Sequence, residues 1–159
     1  MTKLRFFALV LGVALLPGCL ARNPVAPVGA GPAKVRTQAA DASAAAALIS
    51  KYRGARGLGP VVVDTRLNAA AAYQARAVAQ AGSLSHGDFQ GRMATFNIQG
   101  QAAENLSAGV GSVEEAITQW SNSSGHNANL LLPGATRIGL ARADSGSGYG
   151  RYWALVLAN

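Results

Sequence analysis

The only imidazoles of the chain are His86, in "SLSHGD", and His126, in "SSGHNANLL"; Glu104 lies between them in "AAENLSAG". Two ring nitrogens and a carboxylate oxygen make a donor set that suits a zinc ion. Such a site holds Zn–N at about 2.0–2.1 Å and usually three protein ligands plus water. The same groups suit acid–base work on a bound water, with or without a metal. The spacing has none of the compactness of "HExxH", so the chemistry requires a fold that gathers three distant segments. The plainer alternative is a solvated loop histidine, a helix-end histidine and a glutamate that orders its loop by accepting backbone N–H groups.

Glu104 is flanked by Ala102, Ala103 and Leu106, which suggests a partly buried segment. A buried carboxylate is costly unless partnered, and a nearby histidine would serve. Other polar groups have simpler explanations. Ser112 and Glu115 have capping-box spacing, Glu114 reads as solvated, and Asp88 fits a turn before Phe89 better than a ring-orienting role at His86. Ser85, Ser123 and Ser124 sit near histidines in loop-like sequence, where serine is too common to support a triad. No activated nucleophile stands out.

The elements that must position these groups follow from periodicity. An alanine-rich helix is expected over about 38–53, with Leu48, Ile49 and Tyr52 on one side. A second is expected over 65–81, capped by Asp64, with Leu67, Ala71, Gln74 or Ala75, and Val78 on one face and Gly82 at its end. So many alanines imply close packing. Residues 83–111 read as mostly irregular. A third helix opens at Ser112 with the stripe Val113, Ile117 and Trp120, and a short one follows over about 125–132, stopped by Pro133. "ATRIGLARA" and "GRYWALVLA" read as strands joined through "DSGSGYG" into a hairpin. Helices followed by an antiparallel hairpin indicate a layered α/β or α+β domain, and neither "GxGxxG" nor "GKS" is present for a nucleotide fold.

Residues 1–19, "MTKLRFFALVLGVALLPGC", read as a signal peptide: basic residues, a short apolar run, then small residues ending at Cys19. "LLPGC" is similar to a bacterial lipobox, which makes Cys19 the expected lipid attachment and the membrane an expected partner. Residues 20–37, rich in proline and glycine, read as a flexible linker, which leaves 38–159 as the expected domain. Cys19 is the only cysteine, so no intrachain disulfide can form and the core must carry stability. Of 14 basic and 7 acidic residues, two basic ones fall in the signal segment, leaving 12 against 7 and a formal +5. These charges are scattered, without zinc-finger spacing or aromatic–basic interleaving. They imply solubility and mild attraction to anionic surfaces, not nucleic-acid binding.

As an ordered set, "LSH", "AENLSAG", "ITQWSNSSGHNANLLLPGATRIGLA" and "YWALVLA" resemble the bacterial branch of the CAP superfamily of cysteine-rich secretory, antigen 5 and pathogenesis-related proteins. The resemblance runs from about residue 41 to the C-terminus. It implies an exported α/β domain, a three-layer α–β–α sandwich with a small antiparallel sheet and a cleft lined by histidines and acids. Carried over by position, His86, Glu104 and His126 are the cleft residues. Arg92 is the arginine of the loop after the first histidine, and Trp120, Asn129 and Leu130 are framework. Three positions depart from the pattern: Asn127 replaces a frequent arginine, Tyr152 a strand histidine, and Leu155 a glutamine. The resemblance implies binding of a small apolar or envelope ligand, an envelope polymer or a protein partner, with a divalent metal such as zinc at His86, His126 and Glu104. The alternatives are a metal-assisted hydrolase and a structural lipoprotein with a vestigial cleft.

Overall fold

The computed structural model describes residues 36–37 and 40–159. The signal-like segment, Cys19 and nearly all of the linker lie outside the described residues. Two alanine-rich helices, α1 (Ala40–Gly54) and α2 (Thr65–Ala81), occupy opposite faces of one sheet. Helix α2 starts where Asp64 accepts the N–H groups of Arg66 at 2.8 Å and Leu67 at 3.0 Å. It stops at Gly82, whose φ of 67° is the left-handed conformation that glycine adopts without strain. Its buried face comprises Leu67, Ala70, Ala71, Gln74, Ala75, Val78 and Ala79.

Small residues let α2 lie directly on the sheet. A Cβ at Gly139 would run into the Leu67 carbonyl and the Asn68 nitrogen. Asn68 also accepts the Leu140 N–H at 2.9 Å, bolting the helix to the strand.

The sheet holds β1 (Arg36–Thr37), β2 (Val62–Val63), β3 (Ala102–Ala108), β4 (Arg137–Asp144) and β5 (Arg151–Ala158). Its order is β1-β4-β5-β3, with β2 also on β4. The β4–β5 hairpin forms as the two strand-like runs and their glycine- and serine-rich connector predict, and β5 pairs antiparallel with β3 on its other side. β1, the last two residues of the expected linker, pairs antiparallel with Asp144 and Ala143. The short "VVV" run supplies β2, which pairs parallel with β4.

Residues 83–111 differ from expectation. They contain α3 (Phe89–Thr95) and all of β3. Helix α3 is short and begins where Asp88 accepts the Gly91 N–H, so Asp88 is a cap. β3 escapes sequence detection because Glu104, Asn105, Leu106 and Ser107 are all buried, which removes the polar–apolar alternation. Helices α4 (Val113–Ser121) and α5 (Ser124–Leu130) follow. Ser112 Oγ accepts the Glu115 N–H at 3.2 Å, while the Glu115 carboxylate takes the Gly111 N–H at 2.6 Å.

Two apolar layers result. α2 and α3 pack on one face around Leu67, Met93, Leu106, Tyr152 and Val156. α1, α4 and α5 pack on the other around Ile49, Trp120, Leu130, Trp153 and Leu155. This is the three-layer α–β–α sandwich expected. Buried Arg53 ties α1 to the end of α5: Nε donates to Gly59 O at 2.9 Å, Nη1 to Leu130 O and Leu132 O, and Nη2 to Ala135 O, each at 3.0 Å. Burial holds its pKa below the ordinary arginine value.

Candidate functional site

Strand β3 sends alternate side chains into the two layers, and the candidate residues divide accordingly. Glu104 enters the α2–α3 layer with its side chain 2% exposed. Its Oε1 lies 2.8 Å from His86 Nδ1, and its Oε2 is paired with Arg92 Nη2. Arg92, itself buried on α3, also reaches Gln74 Oε1 at 2.5 Å and the His86 carbonyl at 3.1 Å. Gln74 completes the ring by donating to the Ser85 carbonyl. A buried ion pair braced by further hydrogen bonds locks a segment in place. Here the segment is the 83–88 loop, and His86 stands at its solvent side with a side chain 56% exposed.

Asn105, one residue on, points into the opposite layer and is fully buried. Its Nδ2 donates to the His126 carbonyl at 2.9 Å, and its Oδ1 accepts from Asn129 Nδ2 at 2.9 Å. Asn129 also donates to the Glu104 carbonyl at 3.0 Å, and Trp120 Nε1 to the Leu106 carbonyl at 3.0 Å. Asn129 and Trp120 thus cap outward-facing carbonyls of an edge strand, and their framework role has a physical content. Asn127 is engaged by α1, accepting from the Tyr52 hydroxyl at 2.7 Å.

His126 lines a groove of about 530 Å³ that runs over the edge of β3. Its lining comes from Gly82, Ser83 and Leu84 just after α2, Leu106, Ser107 and Ala108 of β3, Gln119, Ser123 and His126 of the α4–α5 segment, and Tyr149 of the β4–β5 connection. The His126 ring makes no hydrogen bond or ion pair with another described residue. Tyr152 and Leu155 do not line this groove; both are fully buried on opposite faces of β5. Glu115 and Asp88 serve as cap residues, and Glu114 is exposed.

The three donors His86, Glu104 and His126 do not fit a three-ligand metal centre as placed. Both Glu104 oxygens are committed to Arg92 and His86, and among the described residues no group of three or more His, Cys, Asp or Glu side chains could hold a metal ion. Three participants escaped sequence reasoning: Gln74, Asn105 and Gln119, whose Oε1 accepts from the Ser107 hydroxyl. Gln74 carried one signal, an amide on a helix face otherwise made of leucine, alanine and valine.

An α–β–α sandwich with a histidine–glutamate–arginine network and a histidine-bearing groove at one strand edge defines a class of domain. The model of the CAP, or cysteine-rich secretory protein, family matches residues 46–157, and the chain belongs to that family. The uncharacterized protein YkwD of Bacillus subtilis is 31% identical over 106 residues, spanning 63% of this chain and 41% of that protein. The chain therefore spans less than half the length of that relative. An outer surface protein of Borrelia burgdorferi has the same fold, with a TM-score of 0.70 at 17% identity over 80% of this chain and 98% of that one. An extracellular protein of Bacillus anthracis containing an SCP domain aligns with a TM-score of 0.66 at 20% identity, over 75% of this chain and 40% of that one.

Proposed function

We propose that the chain is an exported, envelope-facing binding domain that takes its ligand in the His126 groove and performs no catalysis there. The observation that carries this reading is the division of labour at β3. Glu104 is consumed by Arg92 and His86, so it is unavailable as a base, while His126 borders an open groove without an acidic partner. General acid–base hydrolysis needs a base within hydrogen-bond reach of the attacking group, and a nucleophile or bound water for it to activate. A groove with polar and apolar walls and one uncommitted imidazole suits recognition.

The signal-like segment supports export, and the surface and extracellular descriptions of the structural relatives agree with it. Lipid attachment at Cys19 would hold the domain at a membrane through the residues between Cys19 and β1. The reading is tested by titrating the chain with peptides, glycan fragments and lipid vesicles while following both histidine rings by NMR. One ligand class is expected to shift the His126 ring, and His126→Ala to weaken that ligand about tenfold or more without lowering the melting temperature. Shifts confined to His86, or an unchanged affinity in the variant, would contradict it.

A further inference from the structure

The parity of the β3–β5 pairing determines where β3 is open. Gly109 N–H donates to the Arg151 carbonyl at 2.9 Å, and Asn159 N–H to the Gln101 carbonyl at 3.2 Å. With the register Ala108↔Tyr152 through Ala102↔Ala158, odd-numbered residues of β3 turn their main-chain groups toward β5 and even-numbered ones away from it. Two of the outward carbonyls, those of Glu104 and Leu106, are met by Asn129 and Trp120. Among the described residues, nothing pairs with the Leu106 N–H or with the N–H and carbonyl of Ala108. Both residues line the His126 groove.

We infer that this groove takes an extended peptide segment, which adds to the edge of β3 at Ala108. The inference rests on the binding reading above and names its ligand class. One peptide residue can both donate to the Ala108 carbonyl and accept from its N–H, and Leu106 N–H supplies a third bond. A fourth is blocked, because Trp120 already holds the Leu106 carbonyl. The groove also matches a strand's side chains. Leu84 and Tyr149, 47% and 64% exposed, stand along it as apolar contacts. No Asp, Glu, Lys or Arg lines it among the described residues, which favours an uncharged segment carrying apolar residues. An acyl chain has no N–H or C=O along its length, and a saccharide offers them only on acetamido side groups, not along a backbone at strand spacing.

The test uses the full chain and short peptides selected on it from a displayed random library, then resynthesised with each amide N-methylated in turn. A single sensitive amide is expected, the one donating to the Ala108 carbonyl, at a loss of about tenfold, with its neighbours tolerated. Amide exchange at Ala108 and Leu106 is expected to slow by about tenfold or more in the complex. Ala108→Pro removes the donor at an edge position where proline is tolerated, and is expected to weaken binding about tenfold. If that variant does not fold, the N-methyl scan and the exchange rates decide. A flat scan, or bound peptides that leave Ala108 exchange unchanged, overturns the inference. So does failure to select any peptide. In that case, glycan fragments or vesicles that shift the His126 ring leave the groove reading standing and refute only the peptide. Ligands that move His86 alone refute both.

Discussion

His86 and His126, alike in the sequence, do different work because neighbouring residues of one strand face opposite ways. Glu104 recruits His86 and Arg92 on one side; Asn105 holds the main chain of His126 on the other. The partnership of a buried Glu104 with a histidine was legible from burial cost alone. The arginine was placed by resemblance only; Gln74 was set on the α2 face without a partner and Asn105 was not placed at all, because amides carry no charge to flag their burial. Removing Arg92 leaves Glu104 as an uncompensated buried charge, so Arg92→Met is expected to cost about 3–5 kcal/mol in denaturant melts. His86→Ala, losing a half-exposed partner, is expected to cost about 1 kcal/mol or less. A cost for His86→Ala as large as that for Arg92→Met would show that the imidazole, not the guanidinium, neutralises Glu104.

At the scale of elements, three devices hold α2, α4 and α5 where the groove needs them. Gly139 gives α2 its close approach, so Gly139→Ala is expected to destabilise by about 1–3 kcal/mol through overpacking, read as a fall in melting temperature. A neutral effect would mean that α2 can retreat without cost. Arg53 grips the carbonyls at the end of α5, and Asn129 and Trp120 seal part of the β3 edge. Asp64 caps α2. Burial pushes its carboxyl pKa up, but the Leu67 N–H, Arg137 and the Arg66 N–H outweigh burial and hold it below the usual carboxylate value. A carboxyl lowered on folding contributes stability above its unfolded pKa, near 4, and loses it as pH falls through the lower folded value. The stability gap between the wild type and Asp64→Asn is therefore expected to be constant at neutral pH and to close on acidification below about pH 4. A gap unchanged by acid would rule out this linkage. Helix α2 was legible to the residue because its cap, stripe and glycine stop agree. β3 was illegible because burial on both faces hides alternation, and α3 because seven residues are too few to show a period.

The described residues form two apolar layers sharing one sheet, and the His126 groove lies at the edge strand of that sheet, β3. The layered class was legible from helices followed by a hairpin, and the family from an ordered set of short segments. The position of the groove was not, since it depends on which strand lies at the edge. The one cysteine, at position 19, leaves the domain to be held by its core, and lipid attachment there is the proposed route to a membrane. Cys19→Ala is expected to move the protein from the membrane to the soluble fraction, and an unchanged distribution would argue against an acyl anchor. That variant also isolates the groove. The most direct measurement is the retention of Cys19→Ala protein on isolated cell envelopes, compared with Cys19→Ala/His126→Ala and Cys19→Ala/His86→Ala. Loss of retention by about tenfold in the His126 variant alone, with its melting temperature unchanged, is the predicted result. Equal retention of all three, or loss confined to the His86 variant, would contradict a ligand site at the β3 edge.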